Sequence, residues 1–329
     1  MIKQDIPSFE KINYLLRPKK QIERKISIEI LQELQPLVSN FENFRYIGMG
    51  SIYYYDYILF HKYLKLKKFT SLDDKPVPKR FEFNKPYDFI DFENVLSTDF
   101  LENFEFDSNI IMWLDYDTLL STKIFNDFAI LSRKCNRYDI VIFTLNVTCP
   151  RSFKKRKKVM EPFSKYLSQK YQPIKNFLND THFPKLYQDI CLNYFANQCA
   201  SRDLKFNKFL AIKYADNAQM LTIAGIMDKT DEIVKGLSHS CVKTDEQITS
   251  IKVPNLTYKE KFYLDAMIDK IKNNLTPIAE KIKEEGVPAE DEKEFVRNIL
   301  KSEFELSLED LEQYATYYKY YPQYYEGAI

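Results

Sequence analysis

Phe44-Arg-Tyr-Ile-Gly-Met-Gly-Ser51 is a short apolar run that breaks onto two glycines, and an aromatic amphipathic run from Ile52 to Tyr63 follows at once. Apolar run, glycine break and helical period together are the pattern of a strand, a tight turn and a helix. The chain has only six glycines, at 48, 50, 225, 236, 286 and 327. Average usage of roughly 7 % would give several times as many. Glycine is therefore kept for positions that need a positive φ or the close approach of another group. A glycine turn leading into a helix N-terminus presents N–H groups and the positive end of the helix dipole, which nucleotide-like ligands use. A tight turn with no ligand gives the same pattern, and two glycines alone do not separate the readings.

Working outward, Lys68-Phe-Thr-Ser-Leu72 reads as a second strand ending on Asp73-Asp74, 23 residues after Gly50. That is the length of one strand–helix–strand step. An acid there can accept hydrogen bonds from both hydroxyls of a ribose, whereas the plain alternative is an acid at an exposed strand end. Lys75 to Pro86 reads as a proline-punctuated loop, and Tyr87 to Glu93 alternates apolar and acidic residues as a third strand. Asn109 to Leu114 and Asp139 to Leu145 are unbroken apolar runs, as expected of central strands buried on both faces. The first ends on Asp115-Tyr116-Asp117 and the second on Asn146-Val-Thr-Cys-Pro150, with a helix expected from about Thr122. Helices are expected near 159–171 and 184–201. Phe206–Tyr214 and Gln219–Met227, joined at Asp216-Asn217, read as a hairpin. The sum is an α/β fold: a doubly wound, mostly parallel sheet with an antiparallel edge hairpin.

Upstream, Pro18 opens a helix striped by Ile22, Ile26, Ile30 and Leu34. Lys19, Lys20, Arg24 and Lys25 in its first half read as a solvated face, or else as an anion-facing one. Beyond Pro254 only helical stripes occur. Ser307-Leu-Glu-Asp310 resembles a capping box, and tyrosines stand at 314, 317, 318, 320, 321, 324 and 325. So many tyrosines are expected to pack on a core, with a nucleic-acid stacking surface as the minor reading. The expected organisation is an N-terminal helical extension at 1–40, an α/β domain at 41–253 and a C-terminal helical region at 254–329.

The chain has 329 residues, 48 basic and 47 acidic, for a net charge of +1. It carries no global polyelectrolyte signal. Locally, Arg151-Ser-Phe-Lys-Lys-Arg-Lys-Lys158 gathers six cations, so the remainder is net negative. The cysteines, at 135, 149, 191, 199 and 241, are odd in number and lack CxxC spacing. This points to reduced cytoplasmic thiols and away from a zinc site. His61, His182 and His239 are scattered, which supports neither a triad nor a metal site. No apolar stretch approaches the roughly 20 residues of a membrane helix.

A glycine turn after strand 1, acids after strands 2 and 4 and a late hairpin together resemble the class I S-adenosylmethionine-dependent methyltransferase superfamily, over about residues 41–230. The motifs are Tyr46-Ile-Gly48-Met-Gly50-Ser51, Leu72-Asp73-Asp74 and Leu114-Asp115-Tyr-Asp117. The whole also resembles bacterial O-methyltransferase-like chains. The resemblance implies S-adenosylmethionine as cofactor. Gly48, Gly50 and Ser51 would line it, Asp73 would hold its ribose, Asp91 or Glu93 would receive the adenine amino group, and Asp115 and Asp117 would border the methyl-transfer site. The usual first motif has an acid and three alternating glycines; here Phe44 stands at the acid position and Tyr46 at the first glycine. The lack of Asn-Pro-Pro-Tyr or Asp-Pro-Pro-Tyr after strand 4 argues against adenine-N6 or cytosine-N4 methylation of DNA. Cys149-Pro150 reverses the Pro-Cys of cytosine-C5 enzymes and follows strand 5, so Cys149 is expected to be an ordinary thiol.

Methyl transfer needs an in-line approach and a dry pocket. Asp115 or Asp117 could orient or deprotonate an acceptor, although Asp117 could equally cap a helix. Arg151, Lys154, Lys155, Arg156, Lys157 and Lys158 are expected near the mouth of the cleft, facing an anionic acceptor such as nucleic acid or a nucleotide. Three functions follow. The first is an active methyltransferase. The second is a degenerate methyltransferase-like sensor or scaffold, with the C-terminal helices meeting a protein partner. The third is a nicotinamide-cofactor oxidoreductase, against which the missing third glycine counts.

Overall fold

In a computed structural model, residues 17–74, 77–275, 289–301 and 304–323 are described. They carry an eight-stranded sheet of order β3-β2-β1-β4-β5-β7-β6-β8. Its strands are β1 (Arg45–Met49), β2 (Lys68–Leu72), β3 (Ile90–Glu93), β4 (Ile110–Asp115), β5 (Ile140–Asn146), β6 (Lys205–Ala215), β7 (Gln219–Asp228) and β8 (Thr249–Ile251). β1 to β5 pair in parallel, β7 runs antiparallel to β5, and β6 forms a hairpin with β7. The mostly parallel sheet with an antiparallel side is thus as the sequence implies. One correction concerns the rim, because the short β8, not the hairpin, closes that side.

Helices cover both faces. In chain order up to Cys199 the helices are α1 (Pro18–Leu34), α2 (Tyr55–Leu64), α3 (Pro78–Phe83), α4 (Ser97–Asn103), α5 (Thr122–Lys134), α6 (Phe153–Met160) and α7 (Phe183–Cys199). The strand period of two sorts β1. Tyr46 lies 4.3 Å from Phe60 and 5.8 Å from Phe69 between ring centroids, on the α2 face. Ile47, on the opposite face, joins Met112, Leu114, Phe128 and Phe143. Phe128 packs on Phe143 at 4.7 Å and on Phe195 of α7 at 4.9 Å. Each such burial contributes about 1.5–3 kcal/mol. A polar thread crosses the central strands: Trp113 Nε1 donates to Thr144 Oγ1 at 3.1 Å, and Thr144 meets Thr222 at 2.7 Å.

Four local expectations change. Gly48 lies inside β1, paired with Ser71 and Trp113, and not in a turn. The third strand begins at Ile90, not Tyr87; Tyr87 and Phe89 stack on each other at 5.0 Å ahead of it. Residues 161–171, expected to be helical, form short 3-10 turns broken at Leu167, while the basic segment before them is the helix α6. Lys20 and Arg24 of α1 are buried, not solvated, and Lys20 makes a 3.2 Å ion pair with the equally buried Glu23.

The chain divides into two compact units. The first, Ile26–Ser250, holds the sheet through Ser250. In the second, residues 17–25 join those from 251 onward. The second unit is helical: α8 (Glu232–Lys235) precedes it in the chain, and α9 (Tyr258–Ala266), α10 (Ala289–Leu300) and α11 (Leu308–Tyr317) belong to it. Capping boxes at Thr257/Glu260 and Ser307/Asp310 start α9 and α11. Tyr314, Tyr317, Tyr320 and Tyr321 are buried, which overturns the stacking-surface reading for them. Tyr321 Oη donates to Pro254 O at 2.9 Å and accepts from Leu256 N at 3.1 Å. Residues 1–16, Tyr324 and Tyr325 lie outside the described residues.

Candidate active site

In a parallel sheet the carboxyl ends of the strands face one edge, and ligands gather there. Here that edge carries Gly50 and Ser51 after β1, Asp73 and Asp74 after β2, Glu93 at the end of β3, and Asp115 and Asp117 at and after β4. Backbone bonds hold these ends together: Gly50 N donates to Leu72 O at 2.6 Å and Asp73 N to Glu93 O at 3.2 Å. Asn146, closing β5, donates from Nδ2 to Asp117 O at 3.1 Å and from its backbone N to Thr118 O at 3.3 Å.

Asp91 does not share this edge. It pairs in register with Thr70 at mid-strand, and its carboxylate is bound to Arg45 Nη1 at 2.9 Å, with Thr70 Oγ1 on the same guanidinium nitrogen at 3.0 Å. Glu93, the other acid offered for the adenine, ends β3 at this edge.

Gly48 and Gly50 each have a reason inside the fold. A Cβ on Gly48 would lie 2.8 Å from Tyr46 Oη and 3.0 Å from its Cζ, so the residue at the first glycine position folds its ring over the second. Tyr57 Oη donates to Gly48 O at 2.8 Å, fixing α2 on that carbonyl. A Cβ on Gly50 would lie 2.3 Å from Ser71 Oγ. The turn then enters α2 through Tyr54, whose φ of 48° is left-handed for a bulky residue. Its buried phenol donates to Phe81 O at 3.0 Å. Burial pushes the Tyr54 and Tyr57 phenols up, so both stay protonated and donate.

Behind the acidic edge lies a buried network that sequence reasoning missed. Asp127, on α5 and fully buried, accepts from Ser97 Oγ at 2.6 Å, from Thr98 Oγ1, and from Tyr116 Oη at 2.7 Å. Burial and the neighbouring Asp127 carboxylate push the Tyr116 phenol well up, which keeps it a donor. The signal was present: Asp127 interrupts an apolar stripe of Ile124, Phe128 and Leu131.

The basic segment lies on α6, which the chain reaches after leaving β5 at this same edge. Ser152 caps it by accepting from Lys155 N at 3.3 Å. Arg156 is committed to backbone carbonyls, those of Pro150 at 2.6 Å, Leu178 at 2.8 Å and Arg151 at 3.2 Å. Arg151, Lys154, Lys155, Lys157 and Lys158 are exposed, with Phe153 beside them. Cys149 is buried and its thiol is pushed up by burial, as an ordinary thiol would be. Among the described residues no cluster of His, Cys, Asp or Glu could hold a metal ion, and no helix is long and apolar enough to cross a membrane.

This strand order with its carboxyl-edge acids defines a class I S-adenosylmethionine-dependent methyltransferase fold. The chain belongs to the family described as "Putative O-methyltransferase", whose model matches residues 12–329. No curated protein matches it. Among solved structures it is similar to Trm1 from Pyrococcus horikoshii in complex with S-adenosyl-L-methionine, at 12 % identity and a TM-score of 0.47, covering 70 % of this chain and 61 % of that one. It is also similar to the N-methyltransferase NodS from Bradyrhizobium japonicum in complex with S-adenosyl-L-homocysteine, at 9 % identity and a TM-score of 0.35, covering 68 % and 93 %. A third is spermidine synthase from Thermotoga maritima, at 8 % identity and a TM-score of 0.40, covering 67 % and 63 %. The chain thus spans less than two thirds of the length of Trm1 and of the spermidine synthase.

Proposed function

We propose that this chain is a methyltransferase that takes S-adenosylmethionine at the carboxyl edge of β1–β4 and an anionic acceptor presented by α6. The observation that carries the cofactor reading is the chemistry of the edge: Asp73, Asp74, Glu93, Asp115 and Asp117 are all acceptors and all anionic. They suit a ligand that presents ribose hydroxyls, amines and a positive charge. An acid after β2 would equally serve the ribose of a nicotinamide dinucleotide; what counts against the oxidoreductase is the missing third glycine, with Tyr53 in its place. Asp73 would hold the ribose, Glu93 the adenine amino group, and the backbone at Gly50 and Ser51 the methionine end. Gly48 would act indirectly, by giving Tyr46 its place.

When bound, S-adenosylmethionine supplies an electrophilic methyl group on a sulfonium. Asp115, half-buried at the end of β4, would orient an acceptor O–H; exposed Asp117 would take its proton. The family's description names an oxygen acceptor. Exposed cations on α6, at the same edge as the acids, favour an anionic one such as a nucleotide or nucleic acid. The five cysteines, free and buried, support a reducing compartment.

Calorimetry with S-adenosylhomocysteine tests the reading. Asp73→Ala removes a charged hydrogen-bond acceptor and is expected to weaken binding about 10- to 100-fold. Unchanged affinity would remove Asp73 from the site. The Tyr46 ring over Gly48 favours one second reading, a binding module without transfer. That reading keeps nucleoside affinity and shows no methylation of any oxygen acceptor.

A further inference from the structure

α5 holds α4 at both ends. Asp127 takes the Ser97 and Thr98 hydroxyls at the N-terminus of α4. Lys134 Nζ donates to the carbonyls of Leu101 at 2.9 Å, Glu102 at 2.7 Å and Phe104 at 3.0 Å at its other end. The two clamps stand seven residues apart, two turns on one face of α5, matching the seven residues of α4. The signs also agree with the α4 dipole, with the anion at its N-terminus and the cation at its C-terminus.

The clamps differ in one respect. The Lys134 end touches α4 and the chain that directly follows it, to Phe106, whereas Asp127 also takes the Tyr116 hydroxyl, and Tyr116 stands between Asp115 and Asp117. One fully buried carboxylate therefore fixes the chain that follows Glu93 and the chain that carries both acids after β4. Its hydrogen-bond partners are all hydroxyls, each on one of those two segments. From this we infer that Asp127 is a positioning residue that sets the adenine-side segment at 93–98 against the methyl-transfer segment at 115–117, through Tyr116. The inference rests on the cofactor reading above for what the two segments hold. The coupling between them stands on the hydrogen bonds alone.

Three variants separate this role from plain stability: Tyr116→Phe, Asp127→Asn and Lys134→Met. Each is measured for S-adenosylhomocysteine affinity, for melting temperature, and for amide hydrogen exchange at 93–100 and 115–119. Tyr116→Phe and Asp127→Asn are expected to weaken binding about 10-fold and to speed exchange in both segments. Lys134→Met is expected to lower the melting temperature and keep affinity within about twofold. Tyr116→Phe keeps the buried ring, so the test survives if Asp127→Asn fails to fold. Wild-type affinity in Tyr116→Phe, or equal loss in Lys134→Met, overturns the role. If wild type binds no nucleoside, the cofactor reading falls and the exchange arm decides. Thr98→Val should then speed exchange at 115–119, some twenty residues away in sequence, and no change there refutes the coupling.

Discussion

At the scale of single residues, the sequence shows that Gly48 and Gly50 are needed but not what needs them. Scarcity marks both. The atom that excludes a Cβ at Gly48 belongs to Tyr46, and at Gly50 to Ser71 on another strand, which only the folded register brings near. Gly48→Ala would overpack a ring that is buried against Tyr57, Phe60 and Phe69 and cannot swing away. The expected loss is about 1–3 kcal/mol in denaturant unfolding, with partial recovery when Tyr46→Phe removes the nearest atom. Full stability in Gly48→Ala would show that the ring is mobile. A second residue governs pH dependence. Asp139 is fully buried where β5 begins and accepts from Asn109 Nδ2 at 2.8 Å, Ile110 N at 3.0 Å and Asn136 N at 2.6 Å. Burial outweighs these bonds and pushes its carboxyl up to about 6. A carboxyl raised above its unfolded value near 3.9 holds its proton more tightly in the folded state. Its favourable contribution is present below about pH 4 and is lost as pH rises through about 6, by up to about 3 kcal/mol. The stability difference between wild type and Asp139→Asn should therefore shrink between pH 4 and 6.5. A constant difference would place the carboxyl at its ordinary value.

At the scale of elements, the strands were legible because burial on both faces leaves unbroken apolar runs, as in Ile110–Leu114 and Ile140–Leu145. An element the sequence did not mark is α6. Six cations in eight residues carry no apolar period, so nothing in the sequence marks the segment as a helix. It is helical because Ser152 caps it, Met160 anchors its end in the core, and Arg156 spans three carbonyls. This divides the cations into one that holds the helix and five that face solvent. Arg156→Ala is expected to cost about 1.5–3 kcal/mol, whereas the lysines can be removed with little loss of stability. If two or three of the exposed cations meet phosphates, the log-log salt slope for a nucleic acid would be about −2 to −3. Changing Lys154, Lys155, Lys157 and Lys158 to Ala should flatten that slope and leave S-adenosylhomocysteine affinity unchanged. Equal, weak binding of RNA and DNA by wild type and variant at low salt would make α6 a solvated face.

At the scale of the whole molecule, net charge near zero conceals a division within the sheet-bearing unit, with acids at the carboxyl ends of β2–β4 and cations on α6. A division of this kind selects ligands by sign, and it yields a prediction that needs no knowledge of the acceptor. A ligand that binds only the folded chain stabilises it by RT ln(1 + [L]/Kd), about 2.7 kcal/mol at a concentration of 100 Kd. For a unit of this size each kcal/mol raises the melting temperature by roughly 2–4 °C, so saturating S-adenosylmethionine or S-adenosylhomocysteine should raise it by roughly 5–10 °C. A nicotinamide dinucleotide at the same concentration should raise it hardly at all, since Tyr53 stands where the dinucleotide fingerprint has its third glycine, the one that lets helix and strand pack closely. The Asp73→Ala variant should lose most of the nucleoside shift. A dinucleotide shift as large as the nucleoside one would favour the oxidoreductase. A nucleoside shift that survives Asp73→Ala intact would place the ligand somewhere other than the end of β2.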